Sequence, residues 1–562
     1  MKLILQIIVP VLLAMLLEQC ASPTALTGGL KDTIPPSLLY SDPVQSQLSF
    51  KKQQLEFLFD ENIRADKLLQ ELIITPTIDL KYTHVIKKNK LIIKFDEPFP
   101  DSTTFTFNFR AGVGDATENN PVKNFRLALS TGNYIDSLIL SGTINDLLDN
   151  KPTADITVGL YPLTDTLDLL KNKPYYFTTA AETGNFDIQN IKAGRYILFS
   201  FLDDNNNLLF DPATEPYSVY PDTIPLTPSF IQDTIKLMSM KVNAIPLQLI
   251  SARPTGHHFV VRYNKSLLHA DIQIPDSSNS TNPAFQLSTD RSEIIIYNND
   301  SLAFETDSIL SLITVRDTLN QILTDSVYLL YRASTKKVKD WATTFSSPVI
   351  KNDTLRLNIS SSKPIYIAHP EYMTISLDST YQFSPAAVEI NYNNIYKTNA
   401  SIIIPFDTTS LLAQQRDSLT PDSSSVKFTN QSFSLTLAPR SLISIEQDTL
   451  IEPYTSIIKY ASSSTAYGTL SLTVNTSFKS YRLDLISGQD KIYRSYYSPA
   501  EITDTRIKPG NYNIRVYIDA NNNGRWEPAN PWKQTTAEQI YNYPNSTDIR
   551  ANWIISIEDI TF

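Results

Sequence analysis

A chain of 562 residues is too long for one hydrophobic core, and at roughly 100–150 residues per domain it holds about four or five. Tyr (29) and Phe (25) are abundant while Gly is limited to 14, a balance that favours strands over helices and makes the expected fold class all-β. The formal net charge of −10, with 19% charged residues, leaves no electrostatic footprint for nucleic acid or for an anionic membrane surface, and no nucleic-acid partner is expected.

The amino terminus reads as an export signal. Lys2 supplies a positive start, Leu3 to Leu17 is almost wholly apolar, and Cys20 follows Glu18 and Gln19. About fifteen apolar residues are short of the roughly twenty needed to span a bilayer, so cleavage is expected rather than retention. Cys20 is the only cysteine, so it has no internal disulfide partner, and lipid attachment accounts for it best. The alternative is an ordinary cleaved signal that leaves the protein soluble in the periplasm. Leu17 and Ala21 around the cysteine resemble a bacterial lipobox, with Glu18 and Gln19 in place of the usual small residues. The runs Gln19 to Pro23 and Thr27 to Pro36 resemble the start of Bacteroidetes-type lipoproteins that carry bacterial Ig-like domains. That resemblance implies a lipoprotein signal peptide at 1–19, a lipidated tether at 20–36 and an outer-membrane location, on either the periplasmic or the surface face.

Beyond the tether, apolar residues recur with period two, the mark of strands with one buried face. Leu55, Phe57 and Phe59 alternate, as do Leu91 and Ile93, then Phe105, Phe107 and Phe109, then Phe125, Leu127 and Leu129. Turn-forming clusters such as Pro100-Asp101-Ser102 and Asn119-Asn120-Pro121 separate these runs at sandwich spacing. The pieces Phe59 to Ile63 and Leu129 to Gly132 resemble the first and last strands of the bacterial Ig-like domain first described in S-layer proteins, which places such a domain at 37–135. A second unit, 136–243, carries Leu140-Ser141-Gly142-Thr143-Ile144 and Ile191 to Leu198, and is similar to the transthyretin-like sandwiches found as regulatory modules in carboxypeptidases. Ile507 to Ile514 matches Ile191 to Leu198, and the agreement continues without a gap to Pro212 and Pro528. The segment 461–562 is therefore expected to repeat 136–243. Between them, further alternation predicts a β-sandwich at 244–335 and an Ig-like one at 336–460, with Gln414 to Ser425 expected as a mobile loop.

Each repeated strand runs into a loop rich in side-chain oxygens. In the first copy these are Asp203, Asn205, Asn207 and Asp211, and in the second Asp519, Asn521, Asn523 and Glu527. The spacing resembles the start of an EF-hand-type calcium loop, where alternate residues converge because a hard cation needs six to eight oxygens. Position twelve, usually a bidentate Glu, is Thr214 or Asn530, so any calcium site is expected to be weak. The other reading is an Asn-rich turn that closes a hairpin. Trp526 and Trp532 flank the second loop and are candidates for partner contact.

No His-Glu-x-x-His, Gly-x-Ser-x-Gly, Walker or Gly-x-Gly-x-x-Gly motif is present, and the adjacent pair His257-His258 reads as a turn or strand start. The sequence therefore points to a non-catalytic, lipid-anchored envelope protein, a binding or scaffold subunit of an outer-membrane complex. A surface adhesin or glycan-binding lipoprotein is the alternative, followed by a structural spacer and by an envelope hydrolase built from distant carboxylates. The expected partners are the membrane, through the N-terminal lipid, and an outer-membrane or envelope protein. Calcium is the one cofactor expected.

Overall fold

The computed structural model describes residues 32–562 apart from 79, 165, 230–233, 256–257, 276–282, 298–307, 332–339, 352–353, 377–381, 386, 406–432, 461–466 and 489. Cys20, His257 and the stretch Gln414 to Ser425 lie outside the described residues. The chain is all-β: among the described residues helix is confined to Leu68–Glu71 and a 3-10 turn, Pro370–Tyr372. No helix there is long and apolar enough to cross a membrane.

Buried apolar side chains gather into successive cores, within residues 50–129, 140–237, 247–331, 341–458 and 470–560. We refer to the sandwiches around them as units 1 to 5. In unit 1 the sheet ordered Leu38–Asp42, Gln54–Phe59, Lys90–Phe95 and Tyr82–Lys87 faces a second sheet of Ile73–Thr75, Thr104–Asn108 and Arg126–Ser130. The alternating Phe and Leu residues meet between them: Phe57, Phe59, Phe105, Phe107 and Phe109 are fully buried, and the Phe109 and Phe125 rings stack at 3.9 Å. Period two in the sequence has become one buried face per strand.

Units 2 and 5 share a strand plan. In unit 2, Leu138–Asp146 lies between antiparallel Asn185–Ile191 and parallel Ile235–Ser239. In unit 5, Gly468–Asn475 lies between antiparallel Glu501–Ile507 and the parallel strand Ile554–Ser556. The facing sheets also correspond: Thr157–Pro162 pairs with Gly194–Phe201, and Ser480–Ser487 with Gly510–Asp519. Even a corner is repeated. The Tyr196 hydroxyl donates to the Lys192 carbonyl and the Tyr512 hydroxyl to the Lys508 carbonyl, both at 2.9 Å, while Tyr176 and Tyr493 accept the N–H groups of the same two lysines.

Gly142 leaves no room for a side chain, since a Cβ there would lie 2.3 Å from the Ile235 carbonyl oxygen and 2.6 Å from the Phe186 ring. Gly142→Ala is therefore expected to destabilise unit 2 by about 1–3 kcal/mol through overpacking. A lower denaturant midpoint for the intact chain checks this.

Candidate functional site

The two oxygen-rich loops begin where the repeated strands Gly194–Phe201 and Gly510–Asp519 leave their sheets. Asp and Asn at alternate positions fold these segments locally, because each side-chain oxygen accepts an N–H two to five residues ahead. In unit 5, Asp519 accepts from Asn523 at 3.0 Å and Gly524 at 2.8 Å, Asn521 from Asn523 at 3.0 Å, and Asn523 from Arg525 at 3.1 Å. In unit 2, Asp203 accepts from Asn207 at 3.0 Å and Leu208 at 2.9 Å, Asn205 from Asn207 at 3.0 Å, and Asn207 from Leu209 at 2.6 Å. The backbone is left-handed at Asn522 and Gly524, and at Asn206 and Leu208, with φ between 57° and 86°. A leucine thus holds in unit 2 the conformation that glycine supplies in unit 5, at a steric cost glycine avoids.

Asp211 and Glu527 differ in use. Asp211 accepts from the Ala213 N–H and the Thr214 hydroxyl, both at 2.9 Å, whereas Glu527 receives the Asn521 amide at 2.9 Å and pairs with Arg525 at 3.5 Å. Each loop is also closed by a carboxylate that the sequence pattern did not single out. Glu215 accepts the Asp211 N–H at 2.8 Å. Glu538 accepts the N–H groups of Ala520 and Glu527, each at 2.8 Å. Each stands two residues before the returning strand, Tyr217–Leu226 or Ile540–Asn542, and that shared position is the signal that identifies them. The spacing from the loop differs because the second copy carries extra residues, including Trp532.

Charge and burial set the carboxyl groups apart. Burial alone would raise Asp519, which is 3% exposed, but the Ser480 hydroxyl at 2.6 Å and the N–H groups of Gly524, Asn523 and Asn522 outweigh it and hold the carboxyl below its ordinary value. Glu215 and Glu538 are pushed above theirs, chiefly by burial. As for a cation, the donor set is oxygen-rich but lightly charged, and no group of three or more His, Cys, Asp or Glu side chains suited to a metal occurs among the described residues. The Asn oxygens that a hard cation would need already accept N–H groups of their own loops.

The loops lie beside a seam between units. The outer face of the unit 2 sheet presents Tyr161, Phe199, Phe201 and Tyr217, which cluster with Phe210 of the first loop, Met240, Leu319 of unit 3 and Ala529 of unit 5. The Tyr217 hydroxyl donates to the Ala529 carbonyl at 2.7 Å, and the Ala529 N–H meets the Met240 sulfur at 3.2 Å. Trp532 donates from its indole to the Ala244 carbonyl at 2.7 Å. Trp526 packs edge-on against Tyr517 and donates to the Glu538 carbonyl at 2.9 Å. Both tryptophans, expected at a partner contact, thus make their polar contacts within the chain. Beneath the seam, buried Lys265 pairs with Asp317 at 2.5 Å and donates to the Ile245 carbonyl at 2.6 Å. Its burial lowers the lysine's proton affinity, and Asp317 opposes that shift.

Further along, Lys363 lies 2.8 Å from both Glu446 and Asp448, and His258, at the start of the strand His258–Tyr263, stands 3.5 Å from Glu446. The two lysine pairs lie within unit 4, and the His258 contact to Glu446 joins it to unit 3.

Glu538→Ala is expected to cost about 1–3 kcal/mol, since it strips the acceptor from the loop's N–H groups, and urea unfolding measures it. Asp519 has a second signature. Its carboxyl is depressed in the fold, so the stability it supplies is present above the ordinary carboxyl range of about pH 4 and is lost as pH falls through the lower folded value. Asp519→Asn is expected to flatten that acid limb in a pH series of unfolding midpoints.

No curated protein matches the chain by sequence. Among solved structures, it is similar to the major pilin subunit of Bacillus cereus at 9% identity, over 76% of this chain and 99% of that one, with a TM-score of 0.13. Surface layer protein SbsC, domains 1–6, aligns at 8% identity over 92% of this chain and 67% of that one, with a TM-score of 0.15. A three-domain titin fragment aligns at 12% identity over 64% of this chain and 93% of that one, with a TM-score of 0.14. Residues 32–131, which form unit 1, match the family model of the bacterial Ig-like domain.

Proposed function

We propose that this chain is a non-catalytic, lipid-anchored envelope protein that serves as a binding or scaffold subunit of an outer-membrane assembly. The observation that carries the reading is the seam: unit 5 is hydrogen-bonded and packed onto unit 2, so sandwiches distant in sequence form one supported body rather than a loose string. A rigid arrangement of this kind holds surfaces at fixed spacing, the requirement of a scaffold. Asp317, Glu446 and Asp448 are each held in an ion pair with a lysine of their own unit, Lys265 or Lys363. The adhesin or glycan-binding reading differs in predicting binding without a membrane protein partner. Gentle solubilisation and pull-down of the tagged protein is expected to bring down a stoichiometric outer-membrane protein, and Cys20→Ala is expected to release the chain from membranes and lose that partner. An unaltered membrane location for Cys20→Ala would contradict the anchor.

We also propose calcium as a weak ligand of the Asp519 loop, with the Asp203 loop weaker still. Millimolar calcium is expected to raise the unfolding temperature by a few degrees and EDTA to reverse it, with Asp519→Asn insensitive to both. An unchanged melting curve would leave both loops as Asx turns.

A further inference from the structure

The chain's net charge of −10 conceals a face of opposite sign. In unit 1 the strands Tyr82–Lys87 and Lys90–Phe95 form a hairpin at one edge of the sheet whose other face covers the core. Period two turns Leu91, Ile93 and Phe95 inward, which sends Lys87, Lys90 and Lys94 outward with Val85, 47% exposed. Lys81 and Lys88 flank the same hairpin and are exposed. Lys87 stands directly opposite Lys90, an arrangement of like charges that is unfavourable without counter-charge.

The face carries fewer carboxylates than lysines: Glu56, Asp42 and the exposed Asp96, whose N–H donates to the Lys81 carbonyl at 3.0 Å. Glu56 is taken by Lys90 at 2.5 Å and Asp42 by Lys52 at 2.6 Å. Among the described residues no ion pair forms to Lys81, Lys87, Lys88 or Lys94. Exposed apolar surface runs through the same face: Val85 lies opposite Ile92, and Tyr40, 55% exposed, opposite Leu58. Cations interspersed with aliphatic and phenolic side chains match an anionic lipid surface, which offers phosphates above and hydrocarbon below.

We infer that this face of unit 1 docks on an anionic membrane surface. The strand Leu38–Asp42 belongs to the same sheet, and a lipid on Cys20 would hold the start of that strand, eighteen residues away, within on the order of 60 Å of the bilayer. Attraction between lysines and headgroups falls off within about 8 Å at physiological salt, so such a tether is what brings it into play. The inference rests on the lipid-anchored reading only for that reach.

The test removes the lipid to separate the two. The unlipidated Cys20→Ser chain is co-sedimented with vesicles of equal parts phosphatidylglycerol and phosphatidylcholine, and with phosphatidylcholine alone. Binding to the anionic vesicles alone is expected, lost at high salt and weakened about a hundredfold by combined Lys87→Gln, Lys88→Gln and Lys94→Gln. The same charge change made elsewhere, by Lys192→Gln, Lys508→Gln and Lys533→Gln, is expected to leave binding intact, and unchanged unfolding midpoints show that both variants fold. No binding, equal binding to both vesicles or equal loss in both variants overturns the inference and leaves the lysines as guards of an exposed sheet edge. Because the assay contains no lipid anchor, its result stands whether or not mass analysis of the native protein finds acylated Cys20.

Discussion

Tyr217 and Ala529 lie 312 residues apart, yet the fully buried Tyr217 hydroxyl donates to the Ala529 carbonyl. Successive sandwiches have no inherent reason to touch except at their neighbours. Here, separation would break that hydrogen bond, expose the apolar outer face of unit 2, and strip Trp532 of its acceptor on Ala244. Each such hydrogen bond contributes about 0.5–1.5 kcal/mol net and the apolar face adds its burial, so the contact of units 2 and 5 is a constraint on the whole chain. Units 3 and 4, which lie between them in sequence, have to follow a path that returns.

The linker from unit 2 to unit 3 is built for that return. Asn243 and Ile245 give their carbonyls to Lys265, whose Asp317 partner also accepts the N–H groups of Leu319 and Gln321. Leu319 then enters the seam cluster. One buried ion pair therefore fixes the turn that supplies unit 3's contribution, and its removal on one side would leave an uncompensated charge. The duplicated loops sit at the same place, with Phe210 and Trp526 rising from corresponding positions into the seam. Loop order and unit docking are thus mechanically connected.

Much of this was legible in the residues. Phe57, Phe107 and Leu129 announced their buried face by alternation, and Ile507 to Ile514 lie in unit 5 where Ile191 to Leu198 lie in unit 2. The oxygen ladders at Asp203 and Asp519 were visible too, but Glu215 and Glu538 were not, because they reach the loops through folding rather than regular spacing. The seam did leave a trace. Tyr196-Ile197-Leu198-Phe199-Ser200-Phe201 is buried on both faces, whereas Tyr512-Asn513-Ile514-Arg515-Val516-Tyr517 alternates with its outward residues less buried. A run of a sandwich strand that is apolar on both faces, with Ser200 its one polar residue here, signals a second covering layer. What alternation does not reveal is which element provides that layer, since the acceptors on Ala244 and Ala529 are main-chain groups without a sequence mark. The lysine face of unit 1 was hidden for another reason: summing charge over the chain averages it away.

Small-angle X-ray scattering from the soluble Cys20→Ser chain, compared with the same chain carrying Ala529→Arg, tests the folded-back arrangement most directly. A bulky cation in the seam at Ala529, 1% exposed, is incompatible with docking. The account predicts a folded-back particle for the parent and a larger maximum dimension for the arginine variant, with each unit still folded. Identical, fully extended profiles for both would contradict it.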